Sequence, residues 1–260
     1  MSTRPNPHRW PLRLWLVRHG ESSGNIAHQL AHAAGDTHIE IATRDVDVPL
    51  SDAGVRQSRA LGRWFAEQDE PTRPEVVLTS PYLRARRTAD LIRECGGLVG
   101  HAAPAVADER LREREFGILD RLTRAGIEQL HPQQAEFRTK IGKFYHRPPG
   151  GESWCDVILR LRSALDTLSL HYATRRVLIV THEVVVYCFR YLLEELDEAK
   201  IMAIDQQGDV VNCGVTEYSY EPKHGSLGGG LVLQRYNFSA PLERDGAPVT
   251  SARDQSTAAR

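Results

Sequence analysis

The stretch Leu14-Trp15-Leu16-Val17-Arg18-His19-Gly20-Glu21-Ser22 decides the fold. Its apolar run is too short for a core helix and is apolar on both faces, which predicts a short strand buried inside a sheet. The run stops abruptly at Arg18-His19-Gly20. Charge at the end of a buried strand is expensive to desolvate, and in open α/β sheets the carboxyl ends of strands are where ligands bind. An imidazole beside a guanidinium suggests a nucleophile next to an anion clamp, with Gly20 letting the backbone turn sharply. The competing reading of this segment alone is a strand that ends in an ordinary polar turn.

Two further runs repeat the pattern. Glu75-Val76-Val77-Leu78-Thr79 and Arg176-Val177-Leu178-Ile179-Val180-Thr181 are short, apolar and followed by helical periodicity, which predicts parallel βαβ units. Ser51 is placed to cap a helix carrying Val55, Leu61 and Phe65 on one face. Ser153, with Asp156 three residues on, has the capping-box pattern, and Trp154, Val157, Ile158, Leu161, Leu165 and Leu168 follow at helical spacing. Near the C-terminus, Val215–Tyr220 and Leu231–Tyr236 flank Glu221 to Gly230 and read as a hairpin. Gly228-Gly229-Gly230 lacks the Lys-Ser/Thr and helix of a nucleotide loop and reads as a flexible tip. The expected fold class is α/β, one domain over residues 12–242, with polar, flexible tails at 1–11 and 243–260.

Composition bounds the function. The 260 residues are 41% hydrophobic and 26% charged, with a net charge of −1. That is ordinary for a globular domain and gives no support to a nucleic-acid partner. The cations are nearly all arginine, with lysine only at 140, 143, 200 and 223; arginine suits bidentate recognition of phosphate or carboxylate, but codon bias accounts more readily for most of this richness. Cys95, Cys155, Cys188 and Cys213 form no Cys-x-x-Cys pair and read as free, mostly buried thiols in a reducing compartment. Met1 to Trp10 contains no apolar signal region, and no apolar stretch reaches membrane-spanning length. The expectation is a cytoplasmic protein without a membrane partner.

Other segments carry chemistry. Ser80-Pro81-Tyr82-Leu83-Arg84 opens a helix at the end of the second strand; helix N-termini hold anions, and Arg84 in the first turn reinforces such a site. Arg84, Arg86 and Arg87 cannot all point at one spot, so Arg86 or Arg87 reads as solvated. The third strand ends in Thr181-His182-Glu183, a second histidine at an equivalent edge. The run Glu109-Arg110-Leu111-Arg112-Glu113-Arg114-Glu115 is expected to be mostly solvated, with one acid held by arginines as a proton donor.

Taken together, Arg18-His19-Gly20-Glu21-Ser22 with Asn25, Pro49-Leu50-Ser51 with Gly54 and Gln57, Ser80-Pro81 with Arg84-Ala85 and Thr88-Ala89, Leu111-Arg112-Glu113 before Phe116-Gly117, Gly151-Glu152-Ser153, and His182 occur in the order and spread of the histidine phosphatase superfamily, also called phosphoglycerate mutase-like. The chain resembles that family. The resemblance implies a three-layer α/β/α sandwich on a mostly parallel sheet. It also implies catalysis through a phosphohistidine on His19, with Arg18, Arg84 and His182 around the phosphoryl group. Asn25 and Ser22 would contribute to substrate binding, Glu113 would serve as acid and base, and neither a metal nor another cofactor would be needed. A neutral His19 requires a hydrogen bond from its other ring nitrogen to a backbone carbonyl.

Two features depart from the family pattern. Glu183 stands where the family usually has Gly after the second histidine; its two readings are an acid that repels substrate and one that points away from the phosphate and restrains a loop, of which the second is expected. Residues 26–48 form a long connection containing His28, His32 and His38. His28 and His32 have the i,i+4 spacing of a metal pair but no third ligand in register, so a surface helix or substrate lid is expected there. Tyr145 and Arg147 precede Gly150-Gly151-Glu152-Ser153 and are candidates for contacting substrate beyond its phosphate. The reading is a phosphatase acting on a phosphorylated small molecule or phosphoprotein. Mutase-type phosphoryl transfer and a non-catalytic phosphate-recognition module are the alternatives, and a homodimer is compatible with either enzyme.

Overall fold

The computed structural model describes residues 9–98, 104–224 and 229–251. Among them the order is β1 (Arg13–Arg18), α1 (Ser23–Ala34), α2 (Asp52–Ala66), β2 (Val76–Thr79), α3 (Leu83–Cys95), β3 (Val106–Ala107), α4 (Arg124–Leu130), α5 (Pro132–Tyr145), α6 (Trp154–His171), β4 (Arg176–Thr181), α7 (Glu183–Leu193), α8 (Glu198–Gln207), β5 (Val215–Glu221), β6 (Gly230–Phe238) and α9 (Ala240–Arg244). The six strands form one sheet in the order β3-β2-β4-β1-β5-β6. β1, β2, β3 and β4 are parallel neighbours, and the β5–β6 hairpin joins antiparallel beside β1.

The apolar runs behave as their patterning requires. Leu14 and Leu16 of β1, with Val177 and Ile179 of β4, pack against Trp154, Val157 and Leu161 of α6 and Val185, Val186 and Phe189 of α7. Trp15 and Val17, with Leu178 and Val180, face the other side and meet Leu61 and Phe65 of α2 and Ala85, Ala89 and Ile92 of α3. Alternate residues of one strand therefore feed two cores, and the sheet is the middle of three layers. The caps are those the sequence predicts. Ser51 accepts the Gly54 N–H at the start of α2, and Ser153 with Asp156 forms a full capping box on α6.

The tail boundaries need correction. Residues 1–8 and 252–260 lie outside the described residues, but Pro11 is buried and Trp10 packs against the core. At the other end α9 crosses residue 242, Leu242 and Ala247 are buried, and the Thr250 carbonyl accepts from the Asn212 N–H at 2.8 Å. Polar composition had concealed a segment held by hydrogen bonds and two small apolar anchors. The hairpin is present, with residues 225–228 of its tip, including Gly228, outside the described residues. All four cysteines are free; Cys188 and Cys213 are buried and the other two half-buried. No helix among the described residues is long and apolar enough to cross a membrane.

Candidate active site

Strand register assembles the site. Arg18 at the end of β1 pairs with Thr181 at the end of β4, and Thr79 at the end of β2 pairs with Val180. The next residues, His19, Ser80 and His182, therefore emerge side by side at the carboxyl edge of three parallel neighbours. Two hydrogen bonds extend the ladder by one rung: His19 N–H to Thr181 O and Ser80 N–H to Val180 O, both 2.9 Å. The rings of His19 and His182 meet edge to face with centroids 5.1 Å apart.

His19 is held in one tautomer. Its Nδ1 lies 2.7 Å from the Gly20 carbonyl oxygen. A carbonyl only accepts, so Nδ1 carries the proton and the neutral ring has its lone pair on Nε2. Arg84 Nε donates to that Nε2 at 3.2 Å. The ring is fully buried, and these two contacts fix the direction of the lone pair. This is the carbonyl hydrogen bond the sequence requires of a nucleophilic histidine.

His182 is fixed from both sides. Its Nε2 is 2.8 Å from Ser80 Oγ, and its Nδ1 lies 3.6 Å from Glu113 Oε2. Tyr82 places its ring against His182 and under the Arg84 guanidinium, 4.9 Å away; burial beside Glu115 and Asp45 pushes its phenol well above the ordinary range. Glu113 is 2% exposed and Glu115 is on the surface, which assigns the carboxyl beside the histidines to Glu113.

The charged run from 109 to 115 corrects the expectation of a solvated loop. Glu109 and Glu115 are exposed, but Arg114 is as buried as Glu113. Glu152 organises the run. Its carboxylate accepts from Arg112 Nη2 at 2.7 Å, Arg160 Nε at 3.0 Å and the Glu115 N–H at 3.1 Å. Arg114 Nε donates to the Glu152 carbonyl at 2.6 Å, and Thr181 Oγ1 donates to the Leu111 carbonyl at 2.8 Å, tying the loop to β4. Desolvation lowers the Arg114 guanidinium to about 10, against the pull of Glu113 and Glu152. Its Nη2 also approaches the His146 carbonyl at 3.3 Å, so backbone oxygens take much of the place of lost water.

Arg18 and Arg84 are both buried beside the histidines. Arg18 Nη1 donates to the Val210 carbonyl at 2.5 Å and lies 3.9 Å from Glu183 Oε2. Glu183 Oε1 in turn accepts the Val210 N–H at 3.1 Å, so this residue ties the loop before β5 to the site. Arg86 and Arg87 are exposed, as expected.

The remaining candidates are placed as follows. Ser22 is the N-cap of α1: its Oγ accepts the Asn25 N–H and donates to Asn25 Oδ1, and its own N–H donates to the same oxygen. This corrects the expectation of Ser22 as a substrate ligand, because its hydroxyl is committed to the helix end. Asn25 is buried in the first turn of α1 with Oδ1 serving that cap. Tyr145 and Arg147 are not brought to the cluster. Tyr145 is exposed, packs on Phe144 and faces Glu198, and Arg147 pairs with Asp156 on α6 at 2.7 Å. Residues 26–48 begin as α1, where the His28 and His32 rings lie 4.6 Å apart, tilted by 52°. Among the described residues no group of three side chains is placed to hold a metal ion.

Sequence reasoning missed Ser80 as a partner of His182, although it ends the strand beside two histidine-bearing strands and the signal was present. It also missed Asp45, whose approach to Arg84 comes from a long connection without periodicity.

The profile of the histidine phosphatase superfamily, branch 1, matches residues 14–229, a span that contains every residue of this cluster. The chain belongs to that superfamily. Among its relatives, the probable phosphoglycerate mutase GpmB of Yersinia enterocolitica is 28% identical over 234 residues, covering 89% of this chain and 95% of that protein. Among solved structures, Bacillus stearothermophilus YhfR superposes with a TM-score of 0.68 at 23% identity, covering 88% of this chain and 98% of that one. A mycobacterial glucosyl-3-phosphoglycerate phosphatase in complex with inorganic phosphate gives 0.63 at 26% identity, with 88% and 98% covered. The α/β sandwich is thus the fold of this superfamily of phosphatases and mutases.

Proposed function

We propose that this histidine phosphatase superfamily member hydrolyses a phosphomonoester through a phosphohistidine on His19. The observation that carries the reading is the tautomer of His19: Nδ1 is tied to the Gly20 carbonyl, and Nε2 is aimed beside Arg84 with His182 and Glu113 adjacent. His19 Nε2 attacks phosphorus in line, and the P–N bond forms as the ester P–O bond breaks. Glu113 donates its proton to the leaving oxygen. It then takes one from water, whose oxygen attacks the phosphohistidine and releases inorganic phosphate. Arg18, Arg84 and His182 offset charge on the equatorial oxygens throughout. Similarity to a phosphatase in complex with inorganic phosphate fits this reading, while similarity to probable phosphoglycerate mutases keeps phosphoryl transfer as the alternative.

The test uses p-nitrophenyl phosphate and a panel of phosphorylated metabolites and phosphopeptides. Wild type is expected to release phosphate and to trap an acid-labile phosphoprotein, and His19→Ala to lose at least about 10³-fold in kcat. Incubation with 3-phosphoglycerate and bisphosphoglycerate separates the mutase alternative: fast isomerisation with little free phosphate would sink the hydrolase reading. A wild type that forms no phosphohistidine from any donor would leave a phosphate-recognition module.

A further inference from the structure

Arg84 meets a carboxylate that neither the fold nor the phosphohistidine chemistry requires. Asp45 Oδ1 lies 3.0 Å from Arg84 Nη1 and Oδ2 3.3 Å from Nη2. The Asp45 backbone carbonyl accepts from Nη1 as well, at 2.7 Å. The guanidinium is a planar fork with an end-on edge, Nη1 and Nη2, and a side-on edge that includes Nε. Asp45 takes the end-on edge. Nε is thereby turned to His19 Nε2, and the Tyr82 ring supports the guanidinium face.

Asp45 is not carried on a free flap. It opens a short 3-10 turn, Asp45–Asp47, in the connection between α1 and α2. That connection is stitched down along its length. Arg121 donates to the carbonyls of Ile41 at 3.0 Å and Thr43 at 2.8 Å. The Ile39 N–H donates to Arg121 O at 2.8 Å, and His38 bridges to Leu122. Ile39 and Val48 are buried on either side of the turn. A side chain placed by so many backbone contacts holds its partner in one orientation.

We propose that Asp45 is a positioning residue for catalysis: it engages the terminal nitrogens of Arg84 so that the Nε edge faces the phosphoryl group on His19. This rests on the phosphohistidine reading, and it makes the connection over residues 36–49 part of the catalytic apparatus. The negative charge lowers the attraction of Arg84 for phosphate in exchange for a fixed donor direction, and direction governs the transition state more than the ground state.

The experiment follows the Arg84 Nε–H resonance by NMR, assigned by its loss in Arg84→Lys, alongside kcat and KM for p-nitrophenyl phosphate. Asp45→Ala is expected to move that resonance toward the position of solvent-exposed arginines. It is also expected to lower kcat by about 10- to 100-fold while KM changes less than kcat. Asp45→Asn, which keeps an acceptor, should fall between. The remaining arginine resonances report whether each variant is folded. An Arg84 resonance that stays in place in a folded Asp45→Ala overturns the proposal. So does a rise in kcat/KM, which would make Asp45 a competitor of phosphate for Arg84. If wild type turns over no phosphomonoester, the phosphatase reading fails by itself, and the resonance still decides whether Asp45 orients Arg84.

Discussion

At the scale of single residues, each buried arginine beside the two histidines carries its own carboxylate: Arg84 has Asp45 at 3.0 Å and Arg18 has Glu183 at 3.9 Å. The two guanidiniums would otherwise repel each other in a buried pocket. Glu183 does a second job, since its other oxygen accepts the Val210 N–H. The two jobs separate by substitution. Glu183→Gln keeps an acceptor for Val210 and removes one negative charge near the phosphate site. Orthophosphate affinity, measured by calorimetry, is expected to rise about three- to tenfold, as one charge at several ångströms in partly screened surroundings is worth about 1 kcal/mol. Glu183→Gly loses the loop contact too and is expected to cost about 1–2 kcal/mol in urea unfolding. Weaker phosphate binding by Glu183→Gln would show that the carboxylate orients Arg18 more than it neutralises it. The sequence marked Glu183 as a departure and anticipated its loop-restraining contact. Asp45 left no such mark, because a carboxylate in a charged connection looks the same whether it meets solvent or a buried guanidinium.

At the scale of elements, the site depends on a backbone-to-backbone contact between the turn after β1 and the first turn of α2. The Ser51 N–H donates to the Glu21 carbonyl at 2.9 Å, and Ser51 Oγ donates to the Glu21 carboxylate at 2.6 Å. A Cβ on Gly54 would stand 2.0 Å from the Glu21 carbonyl oxygen, and one on Gly20 would stand 2.6 Å from the Gly54 carbonyl oxygen. Both glycines exist so that helix and turn can touch. Gly54→Ala gains helix propensity, so an ordinary helical site would be stabilised by it. Here the added methyl has only backbone to push against. The expected outcome is a loss of about 1–3 kcal/mol in urea unfolding, together with a lower kcat as the His19 turn shifts. Equal or greater stability would mean that the turn yields without cost. Elements of this kind were legible wherever local chemistry specifies them. Ser51 and Ser153 announced their helices through caps, and Arg176–Thr181 was readable as a strand because it is apolar on both faces. The cap formed by Ser22 and Asn25 was hidden because the same two residues fit a phosphate-binding motif.

At the scale of the whole molecule, what the sequence concealed is long-range. The register that brings His19 and His182 together follows from parallel strands of matched length, so the centre of the site was legible. The closing of the chain on itself was not, because residues 243–251 are polar and hold the domain through hydrogen bonds that leave no periodicity. Those bonds end at His19. Thr250 Oγ1 donates to Asn212 Oδ1 at 3.0 Å, and Asn212 Nδ2 donates to the His19 carbonyl at 3.1 Å. The same hydroxyl accepts from Gln57 Nε2 at 2.8 Å, and Gln57 Oε1 accepts the Glu21 N–H at 2.8 Å. Thr250 thus braces both flanks of Gly20 from a distance of 230 positions in the chain. Thr250→Val keeps the shape of the side chain and leaves the amides of Asn212 and Gln57 each short of one partner. A buried amide losing one bond costs about 1–3 kcal/mol. The substitution is therefore expected to lower stability by about that much and to reduce kcat for p-nitrophenyl phosphate several-fold with KM little changed. Thr250→Ser, which restores the hydroxyl, should recover most of both. If Thr250→Val lowers stability and leaves kcat untouched, the C-terminal segment holds the fold closed without steadying His19. If it changes neither, the chain of hydrogen bonds from Thr250 to His19 carries no load.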